Sequence, residues 1–193
     1  ASYDGERATK RMSVEDAFRR HNESDTRRHS SEIGVVGRAK VLASSDDDEE
    51  EEEDPFRLNR FIRCQKRDFS RALREIQRGR KNSCWMWYVI PTAPWVVNGV
   101  ERGSYPNQQY ALRDVGIDPL SGDRACLAYL QNDYLKGNYL SIISAVADQL
   151  EDGNDVRTLM GFLDAPKLRS SVALFQRIAG ANGYDDVRRA CAR

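Results

Sequence analysis

Histidine is almost missing from this sequence. Its two copies, His21 and His29, both fall in the N-terminal segment, and residues 55–193 contain none. Acid–base chemistry in that larger part would have to use carboxylates, Lys, Tyr or Cys. Cysteine is sparse as well. Cys64, Cys84, Cys126 and Cys191 are widely separated, with no Cys-x-x-Cys pair and no neighbouring His, which excludes zinc ribbons and fingers. Free thiols are therefore expected, and neither a metal nor a cofactor. No apolar run approaches the roughly 20 residues that a membrane-spanning helix needs. Also missing are a phosphate-binding Gly-rich loop with its Lys, a dinucleotide fingerprint, a nucleophile elbow and a His-Glu-x-x-His pair.

Net charge is absent too, but only as a sum. The chain carries 30 basic and 30 acidic side chains. Residues 1–45 hold nine bases and seven acids, 46–54 hold nine acids and no base, and 55–193 hold 21 bases against 14 acids. An acidic strip thus feeds a basic body. Such a layout bears on solubility and partners rather than on fold. Three parts follow: a polar N-terminal extension at 1–45, an acidic linker at 46–54, and a body at 55–193.

The extension has few apolar anchors, and Ser13 with Asp16 predicts only a short helix at about 14–21. The chain begins at Ala1 without an initiator Met. Either Met was trimmed before a small residue or a transit peptide was removed. The Arg-rich and Ser-rich composition suits the second reading and the interspersed acids oppose it. An organelle, chloroplast or mitochondrion, is the expected compartment, with the cytoplasm as the alternative.

In the body, Asp54 and Pro55 read as the cap and first turn of a helix over 55–78. Leu58, Phe61, Ile62, Phe69, Ala72, Leu73 and Ile76 recur at helical spacing and define its buried stripe. Arg57, Arg60, Arg63, Lys66, Arg67, Arg71, Arg74 and Arg78 make the opposite face basic. Cys84–Pro91 is the densest apolar stretch and reads as a buried strand or a buried irregular segment. Residues 92–107 read as a long loop. Helices are predicted at 125–135, 139–150 after Gly137, 156–163, 167–179 ending at Gly180, and 184–193. The fold class is mainly α: a compact multi-helix domain with at most a minor strand component, preceded by an extended arm.

Two clusters could carry function. Gly79-Arg80-Lys81-Asn82-Ser83 joins the basic helix to the aromatic segment. There Arg80, Lys81 and Ser83 could grip a phosphate or carboxylate beside Trp85 and Trp87. The plainer reading makes Gly79 a C-cap, the cations complements to the negative helix end, and the Trp residues core with their N–H groups bonded to backbone. Cys84 is either a thiolate activated by nearby cations or a small buried hydrophobe. The second cluster pairs opposite charges. Arg57, Arg60, Arg63, Arg67, Arg71, Arg74 and Arg78 on the helix, with Asp46, Asp47, Asp48, Glu49 and Glu50 on the strip, suit docking to a protein. Nucleic acid is a further option for the basic face, although the tethered acids would compete for it.

Asp54-Pro55-Phe56, Arg60-Phe61, Gln65, Ala72-Leu73, Gly79-Arg80-Lys81, Ser83, Trp85-Met86-Trp87-Tyr88, Ile90-Pro91, Ala128-Tyr129-Leu130, Asp164 and Lys167-Leu168 carry a resemblance. So do Ser170-Ser171 and Leu174-Phe175. Over about 54–180 the chain resembles a bacterial family of domains of unknown function whose members are sometimes labelled calpastatin. The resemblance implies a small, mainly helical domain and no established reaction. In that family's Gly-Arg-Lys-x-Ser-His-Trp-Met-Trp hallmark, His stands where this chain has Cys84. A Gln after the Pro is replaced by Thr92, and the Gly-rich stretch beyond it by the longer segment 92–107. Loss of any His-dependent family activity is therefore expected. Arg80, Lys81, Ser83, Trp85, Trp87, Lys167, Ser170 and Ser171 would remain as a degenerate pocket. Two functions follow: a non-catalytic accessory subunit of a larger, organellar protein assembly, docking through its N-terminal extension and charged surfaces, or an enzyme or binder of a nucleotide-like or other anionic ligand.

Overall fold

The computed structural model describes residues 54–116 and 118–193, and the expected helix at 14–21 and the acids from Asp46 to Glu53 lie outside them. The described chain is mainly helical with one two-stranded antiparallel sheet. Asp54 does hold the amide end of the first helix, accepting from the backbone N–H groups of Leu58 at 2.5 Å and Asn59 at 2.8 Å. That helix, α1, nevertheless spans Asn59–Gln77 rather than starting at Pro55. A left-handed φ of 55° at Arg57 keeps the preceding turn out of the helix.

The buried residues of α1 are Phe61, Gln65, Asp68, Ala72 and Ile76. They follow the spacing of one helix face, but two of the five are polar. Cys84–Pro91 is not a strand: Met86–Val89 at its centre form a short helix, α2, with irregular backbone on either side. Its backbone pairs within the segment, Val89 N–H to the Trp85 carbonyl at 3.1 Å and Ile90 N–H to that of Met86 at 3.0 Å. A buried segment must satisfy its own amides, and a helical turn does this without a neighbouring strand.

The expected loop at 92–107 also has structure. Trp95–Val97 (β1) and Val100–Arg102 (β2) pair with Trp95 opposite Arg102 and Val97 opposite Val100. Asn98 and Gly99 both take positive φ, 53° and 74°, the two-residue turn that an Asn-Gly step favours. Tyr105–Gln109 then form α3.

The remaining helices are α4 (Asp123–Gln131), α5 (Asp133–Glu151), α6 (Val156–Met160), α7 (Ala165–Asn182) and α8 (Asp185–Ala192). Gly137 does not separate α4 from α5, because Asn132 caps α5 earlier by accepting from Leu135 N–H at 3.0 Å. Asp155 caps α6 through the N–H groups of Arg157 and Thr158, and α6 stops at Met160 instead of Leu163. The expected stop of α7 at Gly180 is likewise displaced to Gly183, whose φ of 78° supplies the left-handed cap.

α1 lies against α5, α4 against α7, and α8 against both α5 and α7. Aromatic rings join these layers. Tyr139 of α5 stacks on Phe175 of α7 at 3.8 Å between centroids. Tyr129 of α4 meets Phe175 edge-on at 5.4 Å, and Phe61 of α1 meets Tyr129 at 5.7 Å. Pairs of this geometry each add about 0.5–1.5 kcal/mol beyond their buried area.

Candidate functional site

The loop after α1 is arranged around a carboxylate that the sequence did not advertise. Gly79, at φ 81°, ends α1 with its N–H on the Ile76 carbonyl at 2.8 Å. The chain then doubles back over Glu75. Glu75 Oε2 accepts from the N–H groups of Asn82 at 2.8 Å and Ser83 at 3.0 Å and from Trp85 Nε1 at 2.8 Å. Its Oε1 takes the Ser83 hydroxyl at 2.6 Å. Partial burial pushes the Glu75 pKa up, but hydrogen bonds from Ser83, Asn82 and Trp85 outweigh it and leave the carboxyl below its ordinary value.

A second carboxylate gathers the lysines. Asp164 accepts Lys81 Nζ at 2.7 Å and Lys167 Nζ at 3.0 Å. Each lysine also sits over an indole ring, Lys81 at 5.1 Å from Trp85 and Lys167 at 4.8 Å from Trp87. Lys81 is further fixed by its own N–H on the Leu159 carbonyl at 2.7 Å.

Lys81, Trp85, Trp87 and Lys167 therefore do come together, with Asp164 between the two cations. The other expected members point elsewhere. Arg80 is exposed; Ser83 is turned to Glu75; exposed Ser170 donates to the Pro166 carbonyl at 3.1 Å. Buried Ser171 donates to the Pro91 carbonyl at 2.6 Å and lies 3.2 Å from the Tyr139 hydroxyl. The indole N–H groups bond to side chains rather than to backbone, Trp85 to Glu75 and Trp87 to Asn107 Oδ1 at 2.6 Å. The void between Trp87, Thr92, Asn107, Tyr110 and Lys167 measures about 10 Å³. That is room for about one water, so a nucleotide has no volume there in this conformation.

The basic face of α1 has one internal anchor. Buried Asp68 receives Arg71 at 2.5 Å, Arg67 at 3.1 Å and the Tyr88 hydroxyl at 2.7 Å. Burial, reinforced by the Asp68 carboxylate, pushes the Tyr88 phenol well above its ordinary value and keeps it a donor. Exposed Arg57, Arg63, Lys66, Arg74 and Arg78 have no carboxylate within ion-pair distance among the described residues. Asp46, Asp47, Asp48, Glu49 and Glu50, expected to meet such a surface, lie outside the described residues.

Sequence reasoning missed Glu75, Asp68 and Asn107. The first two left a trace, since they are the only acids in residues 57–81 among ten bases, and they stand seven apart. Two turns of helix put both on one side.

These features define a small helical domain in which the loop after α1 is held by the carboxylates of Glu75 and Asp164. The chain belongs to the family described as protein of unknown function (DUF1810), whose model matches residues 55–190. It is similar to the crystal structure of the conserved hypothetical protein Rv1873 from Mycobacterium tuberculosis, with 29% identity and a TM-score of 0.58. That match covers 72% of this chain and 87% of the mycobacterial one. No curated protein matches the chain. Among the described residues, no helix is long and apolar enough to cross a membrane.

Proposed function

We propose that this chain is a non-catalytic accessory subunit that docks onto a larger protein assembly. The observation that carries this reading is the apolar face of the β1–β2 hairpin. Trp95 is 62% exposed, and Val97 and Val100 beside it are 39% and 51% exposed. Alternation along the two strands puts all three on one side, with exposed Arg102 opposite Trp95 at its rim. A hairpin this short is marginal in water on its own, and exposed Trp is the residue most enriched at the energetic centres of protein interfaces.

Two further features support a protein partner. On the resemblance, Cys84 replaces the family His, and the polar groups of the loop around it are committed to Glu75 and Asp164. The row Arg57, Arg63, Lys66, Arg74 and Arg78, with Arg60, Arg67 and Arg71 beside it, would steer the hairpin toward an acidic partner. Charge of this kind governs encounter rate more than affinity.

Sizing of the native protein tests the reading. It should migrate in a complex well above its own 22.0 kDa. Trp95→Ala should loosen that complex by about tenfold or more while leaving the circular dichroism of the purified chain unchanged. Migration as a free monomer, or indifference to Trp95→Ala together with Val100→Lys, would overturn it.

A further inference from the structure

A groove of about 660 Å³ opens between the start of α1, α3 and residues 113–115. Pockets that take small molecules run from roughly 300 to 1,000 Å³. Its lining includes Phe56, Arg57, Arg60, Arg63, Tyr105 and Arg113. Not all of those charges are free. Arg113 holds Glu101 through paired bonds of 2.5 and 2.6 Å, and Asp114, also in the wall, accepts Ala125 N–H at 2.9 Å.

Arg57, Arg60 and Arg63 are left without a carboxylate within ion-pair distance among the described residues. The Arg60 Nη atoms bond only to neutral carbonyls, those of Phe56 and Arg57 at 2.7 Å and of Ala111 at 3.0 Å. Burial, and then repulsion from Arg57, push its pKa down to about 10, so it stays cationic at neutral pH in an under-compensated positive field. Arg60 Nε and Gln109 Oε1 are buried without a hydrogen-bond partner among the described residues, and both side chains line the groove. Tyr105, 64% exposed, supplies a flat ring at the same groove.

We propose that this groove binds a small phosphate-bearing ligand that also carries a flat ring, of about mononucleotide size. Guanidinium forks match phosphate oxygens in pairs, and several in one hollow select a multiply charged anion over a single carboxylate. The ring stacks on Tyr105. Strand-binding surfaces present a succession of aromatic platforms, whereas this groove has one exposed ring, which favours a single nucleotide over a polymer. The inference does not rest on the docking reading, which is anchored on the hairpin, although Arg57, Arg60 and Arg63 also belong to the basic row that would steer it.

Calorimetry and thermal shift on the full chain at fixed ionic strength test it, with ADP, adenosine, inorganic phosphate and an oligonucleotide as probes. ADP should bind and stabilise, phosphate more weakly, and adenosine not at all. Arg57→Ala with Arg63→Ala should weaken ADP by about tenfold or more. Both are exposed, so the fold is kept. Tyr105→Ala should weaken ADP and leave phosphate unchanged. Arg74→Ala with Arg78→Ala, and separately Trp95→Ala, should leave ADP binding as it was. The proposal fails if ADP does not bind at roughly 1 mM, if the Arg74 and Arg78 pair matters as much as Arg57 and Arg63, or if affinity for the oligonucleotide grows with its length.

Discussion

The indole N–H of Trp85 donates to Glu75 Oε2 at 2.8 Å, and Trp85 itself is wholly buried. That bond joins the last turn of α1 to the first residue of the buried aromatic run. It also fixes why the intervening loop is short and rich in donors: Asn82, Ser83 and Trp85 must all reach one carboxylate.

Removing the carboxylate should therefore be costly. Glu75→Ala leaves the Trp85 N–H and the amides of Asn82 and Ser83 without their acceptor, and a loss of about 2–4 kcal/mol is expected in urea denaturation. The acid limb separates charge from shape. A carboxyl held below its ordinary pKa contributes stability that is present above the unfolded value of 4.5 and is lost as pH falls through the lower folded value. Glu75→Gln keeps an acceptor but cannot titrate, so its stability should decline less steeply than the wild type as pH falls below about 4.5. Parallel curves for the two proteins would show that the charge of Glu75 is immaterial.

Asp164 poses the converse case, two cations on one anion. The side chains of Lys81 and Asp164 retain only 10% and 14% exposure, so the pair is poorly hydrated. Asp164→Ala strands Lys81 against Trp85 and Lys167 against Trp87, and should destabilise by about 3 kcal/mol. Lys81→Met should cost less, because Lys167 still neutralises Asp164. In the double variant Lys81→Met with Asp164→Ala, the loss should fall short of the sum of the two single losses by about 1 kcal/mol or more. Strict additivity would mean that the pair has no coupling worth the name.

How far the sequence reveals this arrangement depends on the physical source of each element. Asp155, Pro166 and the apolar spacing along α1 act locally, and local signals predict that α6 and α7 exist and that the class is helical, while their ends fall elsewhere. The failures are non-local. Gly137 and Gly180 look like stops because nothing in the chain says that Asn132 and Gly183 cap α5 and α7 outside them. Residues 92–107 read as loop because Pro94, Asn98, Gly99, Gly103 and Pro106 crowd them, although an Asn-Gly step is also the turn that a two-residue hairpin uses. Most telling is the buried face of α1. Gln65 and Asp68 read as polar and therefore outward, yet both are inside: Tyr88, Tyr129 and Asn138, all 20 or more residues away, bond Gln65, and Tyr88 adds a distant donor to the Arg67 and Arg71 neighbours of Asp68. Pattern reasoning ranks residues by polarity and cannot see the group that will satisfy them. The same limit hides the candidate groove, whose residues come from separate segments.

Gln65 gives the sharpest check of that explanation. Its amide Nε2 donates to the Tyr88 carbonyl at 2.6 Å and the Tyr129 hydroxyl at 2.8 Å, while its Oε1 accepts from Asn138 at 2.9 Å. Gln65→Leu is nearly the same size and more apolar, and on burial alone it should stabilise. Because it orphans the buried Tyr88 carbonyl, a loss of about 2–3 kcal/mol is expected instead. An unchanged midpoint in urea would mean that hydrophobic gain offsets the network entirely.

Two glycines that look alike in sequence should respond in opposite ways to alanine. Gly137 lies inside α5, and a Cβ there would meet nothing within 4 Å. Gly137→Ala removes backbone freedom from the unfolded chain and adds helix propensity, so a gain of about 0.5–1 kcal/mol is expected, a rise of a few degrees in Tm. Gly79 has φ 81°, and a Cβ would come within 3.0 Å of Gln149 Oε1 and 3.1 Å of Asn154 Nδ2. The Asn154 contact cannot simply move aside, because that amide donates to the Gly79 carbonyl at 2.9 Å. Gly79→Ala should therefore lose about 1–2 kcal/mol through strain, with the loop over Glu75 disturbed along with it. Near-ultraviolet circular dichroism, which reports the packing of all the aromatic rings, Trp85 among them, should change for Gly79→Ala and not for Gly137→Ala. Equal spectra would mean that the cap and the Glu75 loop are not mechanically linked.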